Sequence, residues 1–487
     1  MRTVNDTSPV GLGEGRVPLP APAQARLALA LAAGKAAGTA SKVLRVGGGT
    51  SFPGSVARLI DPHILRKVSA ANDAGKVIVT GSNGKTTTCR MLAALADASG
   101  LAVTQNRSGS NLLQGVISAA VRGTDLRGHM DAQLLLLEVD EGTVRLVTPE
   151  VGTDAFLITN IFRDQLDRFG ELYSMAKALE TAIAALPESA TVVLNGDDPL
   201  VASLAPAARC HRLYFGIQAH GGTGVPEHAA DTIRCVRCQH PLVYRSVYLS
   251  HLGDYSCPEC DYARPGLDVA VTAIRPAAEA GSEITVETPA GSFALHIPLP
   301  GIHNVYNAAA AMAGAIALTL PRPLERAGAR RALASLRPAF GRLEAIRAGD
   351  REVMLAFVKN PTSYNATMRE VLRRPGRKHI LAAHSNTVVD GEDFAWLWDV
   401  DIEQLVPDLA SLTASGTRAE EVALRFKYAG ADPAITKVLP DRAAALHSAL
   451  AETPPGESLY IFAGYTPMRE LRSIMQRRAW VPAFWEE

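Results

Sequence analysis

The segment VIVTGSNGKTTTCRML, residues 77–92, constrains the fold of this chain more than any other. An apolar β-type run leads into a short turn that contains glycine, and a run that favours a helix follows. The turn ends in Gly84-Lys85-Thr86, an ending typical of loops that bind phosphate groups at a helix N-terminus. The common spacing G-x-x-x-x-G-K-[ST] is not met, because position 79 is valine. The segment therefore predicts an α/β domain with a nucleotide site of unusual spacing.

The loop residues have the chemistry that a nucleotide site needs. Lys85 can neutralise phosphate charge, and the Thr86 hydroxyl can ligate Mg²⁺. Glycine at positions 81 and 84 lets the backbone approach a phosphate closely. The alternative is an ordinary strand–helix turn that happens to contain Gly-Lys. The residues predicted to contact the nucleotide are Gly81, Ser82, Asn83, Gly84, Lys85, Thr86 and Thr87.

The order of the predicted elements indicates two α/β units. At 487 residues the chain is too long for one ordinary hydrophobic core. Strand-like and helix-like runs alternate from about residue 76 to 200 and again from about 351, which favours parallel sheets covered by helices. Antiparallel strands are expected between 268 and 298. We expect a lead-in and helix over 1–44, a nucleotide-binding domain over 45–340 and a smaller α/β domain over 341–487.

The composition excludes some functions. Lys+Arg and Asp+Glu balance at 49 each, so the chain lacks the excess of positive charge that is typical of nucleic-acid-binding proteins. No apolar run reaches the ~18 residues that span a bilayer, and we expect a cytoplasmic protein. An amphipathic helix is predicted near residues 25–44. Contact of this helix with a membrane-borne substrate is the alternative interpretation.

Four of the six cysteines form a metal-binding pattern within an insert over 229–266. Cys235-x2-Cys238 and Cys257-x2-Cys260 are separated by eighteen residues, a spacing typical of tetrahedral Zn²⁺ sites. Four thiolates leave no open position for water, so a structural zinc ribbon is predicted. Disulfides are the alternative, which a cytoplasmic location disfavours. His240 and His251 are interpreted as bystanders, and the two remaining cysteines, Cys89 and Cys210, as packing residues.

Several segments together resemble the Mur ligases, ATP-dependent ligases of peptidoglycan precursor synthesis. The resemblance covers roughly residues 45–345 and departs at Gln165, where most members have histidine. It implies a Mur-ligase-like P-loop ATPase domain with a parallel sheet, followed by a ligase domain, with ATP and Mg²⁺ as cofactors. The segments, in order, are TGSNGKTTT, LLLEVDE, TNIFRDQLDRFGE, YSMAKALE, VLNGDDP, GIHNVYNAAAA and GRLE.

The resemblance also implies roles for single residues. Glu138 matches the second Mg²⁺-binding carboxylate, and Lys177 matches a lysine that is carbamylated in several members. Asn304 is expected at the adenine and Arg342 at the terminal phosphates. Taken singly, Glu138 is equally a solvated carboxylate at a strand end, Asn304 a helix N-cap, and Lys177 a solvated helix lysine.

The ribbon and two later segments, KNPTSYN and VVDGEDFAWLWD, resemble a narrower group, the ligase-type subunits of lipid II isoglutaminyl synthase. This implies amidation of the D-glutamate α-carboxyl of lipid II at the inner face of the membrane, through an acyl phosphate. Ammonia would come from a partner subunit of the glutamine amidotransferase (GatD) type. Asp390, or alternatively Asp393, is expected to complete the partner's Cys–His pair.

Two rival functions remain open. The first is an amino-acid-adding ligase of the Mur or folylpolyglutamate type, which the ribbon and KNPTSYN disfavour. The second is a scaffold that binds ATP and zinc without catalysis. Gln165 is compatible with it, and so are the departures from the usual residues of the narrower group in the KNPTSYN and FAWLWD segments, which are Thr362, Ser363, Tyr364, Ala366 and Ala395.

Overall fold

The computed structural model describes most of the chain. The first 19 residues of the predicted lead-in and the segment with Gln165 lie outside the described residues. The described ranges are 20–44, 51–72, 75–106, 109–163, 172–222, 224–277, 281–318, 325–337, 341–387 and 390–481.

Strands in the described ranges fall into three sheets. The strands of the large sheet and the insert are β1 Gly75–Thr80, β2 Val103–Gln105, β3 Leu134–Glu138, β4 Ala155–Ile158, β5 Thr191–Asn195, β6 His211–Ile217, β7 Val243–Leu249, β8 Leu252–Ser256, β9 Val269–Pro276, β10 Ser282–Thr288 and β11 Gly291–Ile297. Those of the second α/β unit are β12 Arg342–Ala348, β13 Arg351–Phe357, β14 Lys378–Ala383, β15 Leu409–Ser415, β16 Thr436–Val438 and β17 Ser458–Ala463.

The helices cover the two larger sheets. They are α1 Ala21–Leu44, α2 Phe52–Ile60, α3 Ile64–Ala70, α4 Lys85–Ala98, α5 Leu113–Gly123, α6 Val144–Val151, α7 Leu172–Ala184, α8 Pro199–Ala202, α9 Ile302–Ala317, α10 Arg326–Ala334, α11 Pro361–Leu372, α12 Ala419–Tyr428, α13 Arg442–Glu452 and α14 Tyr465–Arg477. Short 3₁₀ turns lie at Ala205–Ala207, Ala395–Asp399, Ile402–Gln404, Val406–Asp408 and Pro433–Ile435. Among the described helices, none is both long and apolar enough to cross a membrane.

The large sheet is parallel except at one end. Its order is β11-β10-β9-β6-β5-β4-β1-β3-β2, and all pairs from β9 to β2 are parallel, whereas β9, β10 and β11 form antiparallel pairs. Strand β1 lies between β3 and β4, with Val79 opposite Glu138 and Thr80 opposite Ile158. Because parallel strands place their carboxyl ends at one edge, the loops after β1, β3 and β4 meet there.

Strand β1 shows why this sheet is buried on both faces. Ile78 belongs to a core under α5 and α6, whereas Val77 and Val79 belong to a core under α4 and α9. All three side chains are fully buried, which explains why the strand carries an unbroken apolar run instead of an alternating pattern.

The second sheet has the order β12-β13-β17-β14-β15-β16, with β12 antiparallel to β13 and the remaining pairs parallel. The predicted fold class, two α/β units with a cysteine-bearing insert, is confirmed. Two elements were not predicted from the sequence, namely strand β15 and helix α2, which begins at Phe52.

Candidate functional site

The phosphate loop joins β1 to α4 and has a fixed shape. Gly81 and Gly84 have φ values of 123° and 87°, a region that favours glycine. A Cβ atom at position 81 would lie 2.2 Å from Thr159 Oγ1, and one at position 84 would lie 2.1 Å from Asn307 Oδ1. Both glycines are therefore required by conformation and by the close approach of neighbouring segments.

The loop is also held from the end of β4. Asn160 accepts a hydrogen bond from the backbone N–H of Asn83 at 2.8 Å, and its own side chain donates to Asn83 O at 3.1 Å. Ser82 Oγ donates to Phe162 O at 3.0 Å and accepts from Phe162 N at 2.9 Å. The segment after β4 thus fixes the loop through reciprocal hydrogen bonds.

Lys85 is buried at the N-terminus of α4 among carbonyl and carboxylate oxygens. Its Nζ atom lies 2.5 Å from Gly81 O and 3.0 Å from Glu141 Oε2. Burial opposes ionisation of Glu141, but the charges of Lys85 and Lys359 hold its pKa below the usual value. Burial and the Glu141 charge raise the pKa of the neighbouring Asp140. The ammonium group therefore lies beside an ionised carboxylate at the loop.

Thr86, in the first turn of α4, lies beside Glu138, the last residue of β3. Thr86 Oγ1 donates to Glu138 Oε2 at 2.9 Å. The backbone of Glu138 is fixed by Asn106, whose amide accepts from Glu138 N and donates to Glu138 O, each at 2.8 Å. A hydroxyl and a carboxylate next to a lysine are the donor set that Mg²⁺ uses at phosphate loops, so these residues fit the ion.

A cleft next to the loop is lined by both α/β units and the insert. Asn304 lies inside α9, whose N-cap residue is Gly301, and its amide donates to Pro300 O at 2.6 Å and accepts from Asn307 at 3.1 Å. The N-cap interpretation of Asn304 was therefore wrong. The lining residues are Asn83, Gly84, Thr87, Asn160, Phe162, Leu249, Leu252, Leu299, Pro300, His303, Asn304, Tyr306, Asn307, Gly341, Leu343, Ala356, Phe357, Thr362, Ser363, Ala366 and Thr367.

Among the described contacts, none links Lys177 or Arg342 to the phosphate loop. Lys177 is exposed on α7, forms an ion pair with Glu180 at 2.7 Å and lines a separate surface cleft with Arg212 and Arg237. Arg342 begins β12, and its side chain lies outside the described residues. Their roles stay predictions.

The four cysteines of the insert converge. Their Sγ atoms all lie within 4.8 Å of one another, with 3.6 Å between Cys235 and Cys260 and 3.4 Å between Cys238 and Cys257. A tetrahedral site with Zn–S bonds of about 2.3 Å separates its sulfur atoms by about 3.8 Å, so the cluster fits zinc. Every described cysteine is a free thiol, and the disulfide alternative is not what the structure contains.

Asp390 and Asp393 lie near the start of α14 and of a 3₁₀ turn, respectively. Asp390 Oδ1 accepts from Thr466 N at 2.8 Å, and its Oδ2 accepts from Thr387 Oγ1 at 2.6 Å. Asp393 is exposed and accepts from Ala395 N at 2.8 Å. The carboxylate of Asp390 is therefore the more firmly held of the two.

Sequence reasoning missed several residues that meet at the loop, namely Glu141, Asn160, Asn307 and Asn360. Asn360 Nδ2 lies 3.4 Å from Asn83 Oδ1 and links α11 to the loop. Glu141 could have been found as a further acid in LEVDE, and Asn307 as the residue one helical turn after Asn304.

Two family models match the chain. Residues 79–232 match the Mur ligase middle domain, and residues 357–468 match the MurT ligase C-terminal domain. The subunit MurT of lipid II isoglutaminyl synthase (glutamine-hydrolyzing) from Streptococcus pneumoniae is 32% identical over 450 residues, which cover 91% of this chain and 97% of that protein. The subunit of the same name from Staphylococcus aureus is 29% identical, over 78% of this chain and 83% of that protein.

Solved structures agree on the fold. A pseudomurein peptide ligase type C from Methanothermus fervidus matches with a TM-score of 0.64 at 20% identity, over 83% of this chain and 79% of that one. MurF ligase from Thermotoga maritima, in complex with ADP, matches with a TM-score of 0.60 at 15% identity, over 89% of this chain and 84% of that one.

The two α/β units and the phosphate loop at the edge of the parallel sheet define a ligase of the Mur class. Within that class, the chain belongs to the MurT family, whose named members are subunits of lipid II isoglutaminyl synthase.

Proposed function

We propose that this chain is the ligase subunit of an enzyme that amidates lipid II in peptidoglycan synthesis. The γ-phosphoryl group of ATP passes to the α-carboxylate of D-glutamate and forms an acyl phosphate, which converts a poor leaving group into a good one. Ammonia attacks the carbonyl carbon, inorganic phosphate leaves, and the product is D-isoglutamine. The observation that carries the proposal is the Thr86–Glu138 pair beside buried Lys85, in a chain related to MurT subunits.

The residues of the loop have separate tasks in this proposal. Gly81 to Thr87 hold the phosphates through backbone N–H groups at the start of α4, and Lys85 neutralises their charge. Thr86 and Glu138 would hold Mg²⁺, which supplies charge neutralisation between the phosphates when bound. Asn304 faces the adenine, Arg342 the terminal phosphates, and Lys177 is the candidate for carbamylation. Catalysis then rests on positioning and electrostatics.

The ammonia source is the second part of the proposal. Ammonia must arrive uncharged, which favours local delivery by a glutaminase subunit of the GatD type. Asp390 would orient the histidine of the partner's Cys–His pair, with Asp393 as the alternative. The cysteine cluster would hold a structural zinc ion through Cys235, Cys238, Cys257 and Cys260. The lipid-linked substrate implies work at the inner face of the membrane.

The decisive experiment is mass spectrometry of lipid II after incubation with the purified chain, Mg²⁺-ATP and ammonium, without partner. We expect the mass change for replacement of a carboxyl OH by NH₂, abolished by Lys85→Ala. A shift only after addition of a glutaminase subunit and glutamine would mean that the partner also organises the active site. No shift in either case, with ATP still bound, would contradict the ligase and favour a scaffold.

A further inference from the structure

The cysteine insert has two ends with different surroundings. At one end the cysteines flank the β7–β8 hairpin, since Cys257 directly follows β8. At the other end the strands close at Leu249 and Leu252, which lie opposite each other in the antiparallel register. Both leucines are buried and line the cleft beside the phosphate loop, together with Phe162 and Tyr306. With seven residues in β7, the two ends are about 20 Å apart.

We propose that the closed end of the insert is part of the nucleotide site, with Leu249 and Leu252 forming an apolar wall against the base. This inference rests on the proposed ATP-dependent function. The same cleft is lined by Gly84 and Thr87 of the phosphate loop and by Asn304 and Asn307 of α9. A nucleotide whose base lies in this cleft has its phosphates within reach of the loop. The aliphatic side chains provide an apolar surface for the aromatic base.

The closed end is fixed to the phosphate loop by buried contacts. The ring of His251, a fully buried residue in the turn, lies on Phe162 with 4.8 Å between ring centroids. Phe162 in turn exchanges two hydrogen bonds with Ser82 of the loop. A shift of the turn would therefore be transmitted to the loop through a single aromatic residue.

A second anchor is the buried carboxylate of Asp197. It accepts from Arg264, which leaves the insert, at 2.7 Å and from Tyr306 of the cleft at 2.7 Å. The backbone oxygen of Asp197 accepts from Gly253 N at 2.9 Å, directly after Leu252. Asp197 therefore holds both the closed end of the hairpin, next to Leu252, and Arg264, which lies at the C-terminal end of the insert.

The third anchor reaches the second α/β unit. Glu227 Oε1 accepts from Ser250 N in the turn at 2.7 Å and from Arg369 Nη1 at 2.6 Å. Arg369 lies on α11, which also contributes Thr362 and Ala366 to the cleft. The turn therefore contacts both units that enclose the cleft.

The anchors give the cysteine cluster a role beyond the insert. A two-stranded hairpin is marginally stable alone, and its small core contains residues such as Tyr244, Val247 and Tyr255. A metal that clamps the open end stabilises both strands, and so holds the wall at the closed end in place.

The test measures nucleotide binding by the full zinc-loaded chain. Isothermal titration gives Kd values for Mg²⁺-ATP and for Mg²⁺ with inorganic triphosphate, which has no base. We expect Leu249→Ala to raise the Kd for ATP about tenfold, because apolar contact with the base is lost. The Kd for triphosphate should be unchanged. The matched control is Val243→Ala, which truncates an exposed residue of the same strand and should change both Kd values by less than about twofold.

Each outcome decides between distinct conclusions. Equal effects of Leu249→Ala and Val243→Ala on the Kd for ATP, or a parallel loss of triphosphate affinity in Leu249→Ala, would contradict the proposed wall. A parent chain that binds triphosphate but not ATP would do the same. A parent chain that binds neither would refute the proposed function, and the inference with it.

A second variant covers the case in which Leu249→Ala loses zinc or folds poorly. Leu249→Phe keeps an apolar side chain at this position and narrows the cleft. The affinity for ATP should therefore fall, whereas the affinity for triphosphate should not. An ATP affinity equal to that of the parent chain would contradict the proposal.

Discussion

The Nζ atom of Lys85 lies 3.0 Å from Glu141 Oε2, and both side chains are buried. The lysine also donates to Gly81 O, so its side chain lies back over its own loop. Because the Lys85 and Lys359 charges hold the pKa of Glu141 below its usual value, the pair is ionic. A phosphate group must therefore compete with Glu141 for this ammonium group.

We expect Glu141→Gln to tighten the binding of ATP by about three- to tenfold, because the amide competes less well for Lys85 than the carboxylate does. The stability of the nucleotide-free chain should fall, since a buried charge loses its counter-ion. Titration calorimetry with Mg²⁺-ATP and thermal unfolding without it measure the two effects. Glu150→Gln, which breaks the surface pair with Arg66, is the control and should change neither. Weaker ATP binding by Glu141→Gln would show that Glu141 assists the phosphate site.

Asp390→Asn should separate the two sources of ammonia. Asparagine still accepts from Thr466 N at the start of α14, so the fold is retained. It cannot stabilise an imidazolium, and glutamine-dependent amidation with the partner should fall by roughly 10³-fold. Amidation with ammonium should continue at the parent rate.

Asp393→Asn is the comparison for that experiment. Loss of glutamine-dependent activity in Asp393→Asn alone would assign the role to Asp393. Retained activity in both variants would exclude this loop from the partner's site.

Zinc content tests the cysteine cluster directly. The parent chain should carry one zinc ion by inductively coupled plasma mass spectrometry, and Cys238→Ser should carry much less because three thiolates hold the ion more weakly. Cys210→Ala is the matched control, since Cys210 is a buried thiol outside the cluster. Equal zinc loss in both variants, or a parent chain without zinc, would contradict the assignment.

His384 makes the second α/β unit sensitive to acid. Burial among Tyr364, Phe394 and Trp396 lowers its pKa to about 3, so it is neutral in the folded chain. The unfolded chain takes up a proton near pH 6.5. As the pH falls from 7 to 5.5, only the unfolded state gains this proton, and the free energy of unfolding should fall by about 1 kcal/mol.

His384→Phe should remove that contribution. Urea unfolding followed by tryptophan fluorescence is suited to the measurement, because all four tryptophans lie at or after residue 396. His447→Gln, at an exposed position of α13, should retain the pH dependence of the parent chain. If His384→Phe kept the pH dependence of the parent chain, His384 would take up its proton between pH 7 and 5.5 in the folded state as well as in the unfolded state.

The sequence predicted what local chemistry determines. Strand β1, the loop and α4 follow from apolar runs and glycine positions, and the cysteine cluster follows from spacing. The Thr86–Glu138 contact agrees with two separate predictions of a Mg²⁺ ligand, Thr86 from the phosphate loop and Glu138 from the resemblance. It also follows from topology, because β1 and β3 are neighbours in a parallel sheet.

Contacts between distant segments were not predictable from the sequence. Asn360 contacts Asn83, 277 positions away in the sequence, and Leu249 reaches the cleft from an insert that was predicted only as a structural zinc ribbon. No periodicity or spacing encodes such pairs, because they depend on how complete units pack. The exposed Lys177 is a similar case, since a matching motif does not fix where a helix side chain points.

The composite cleft has a practical consequence for inhibitor discovery. Its walls come from the loops and helices of the first α/β unit, the insert, and residues 341–367 of the second unit, Leu343 and Phe357 among them. A fragment truncated before residue 341 would keep the phosphate loop yet present a half-open groove to solvent. Compound screens run on such a fragment would select ligands for a surface that the intact chain does not have, so the complete polypeptide is the proper screening target.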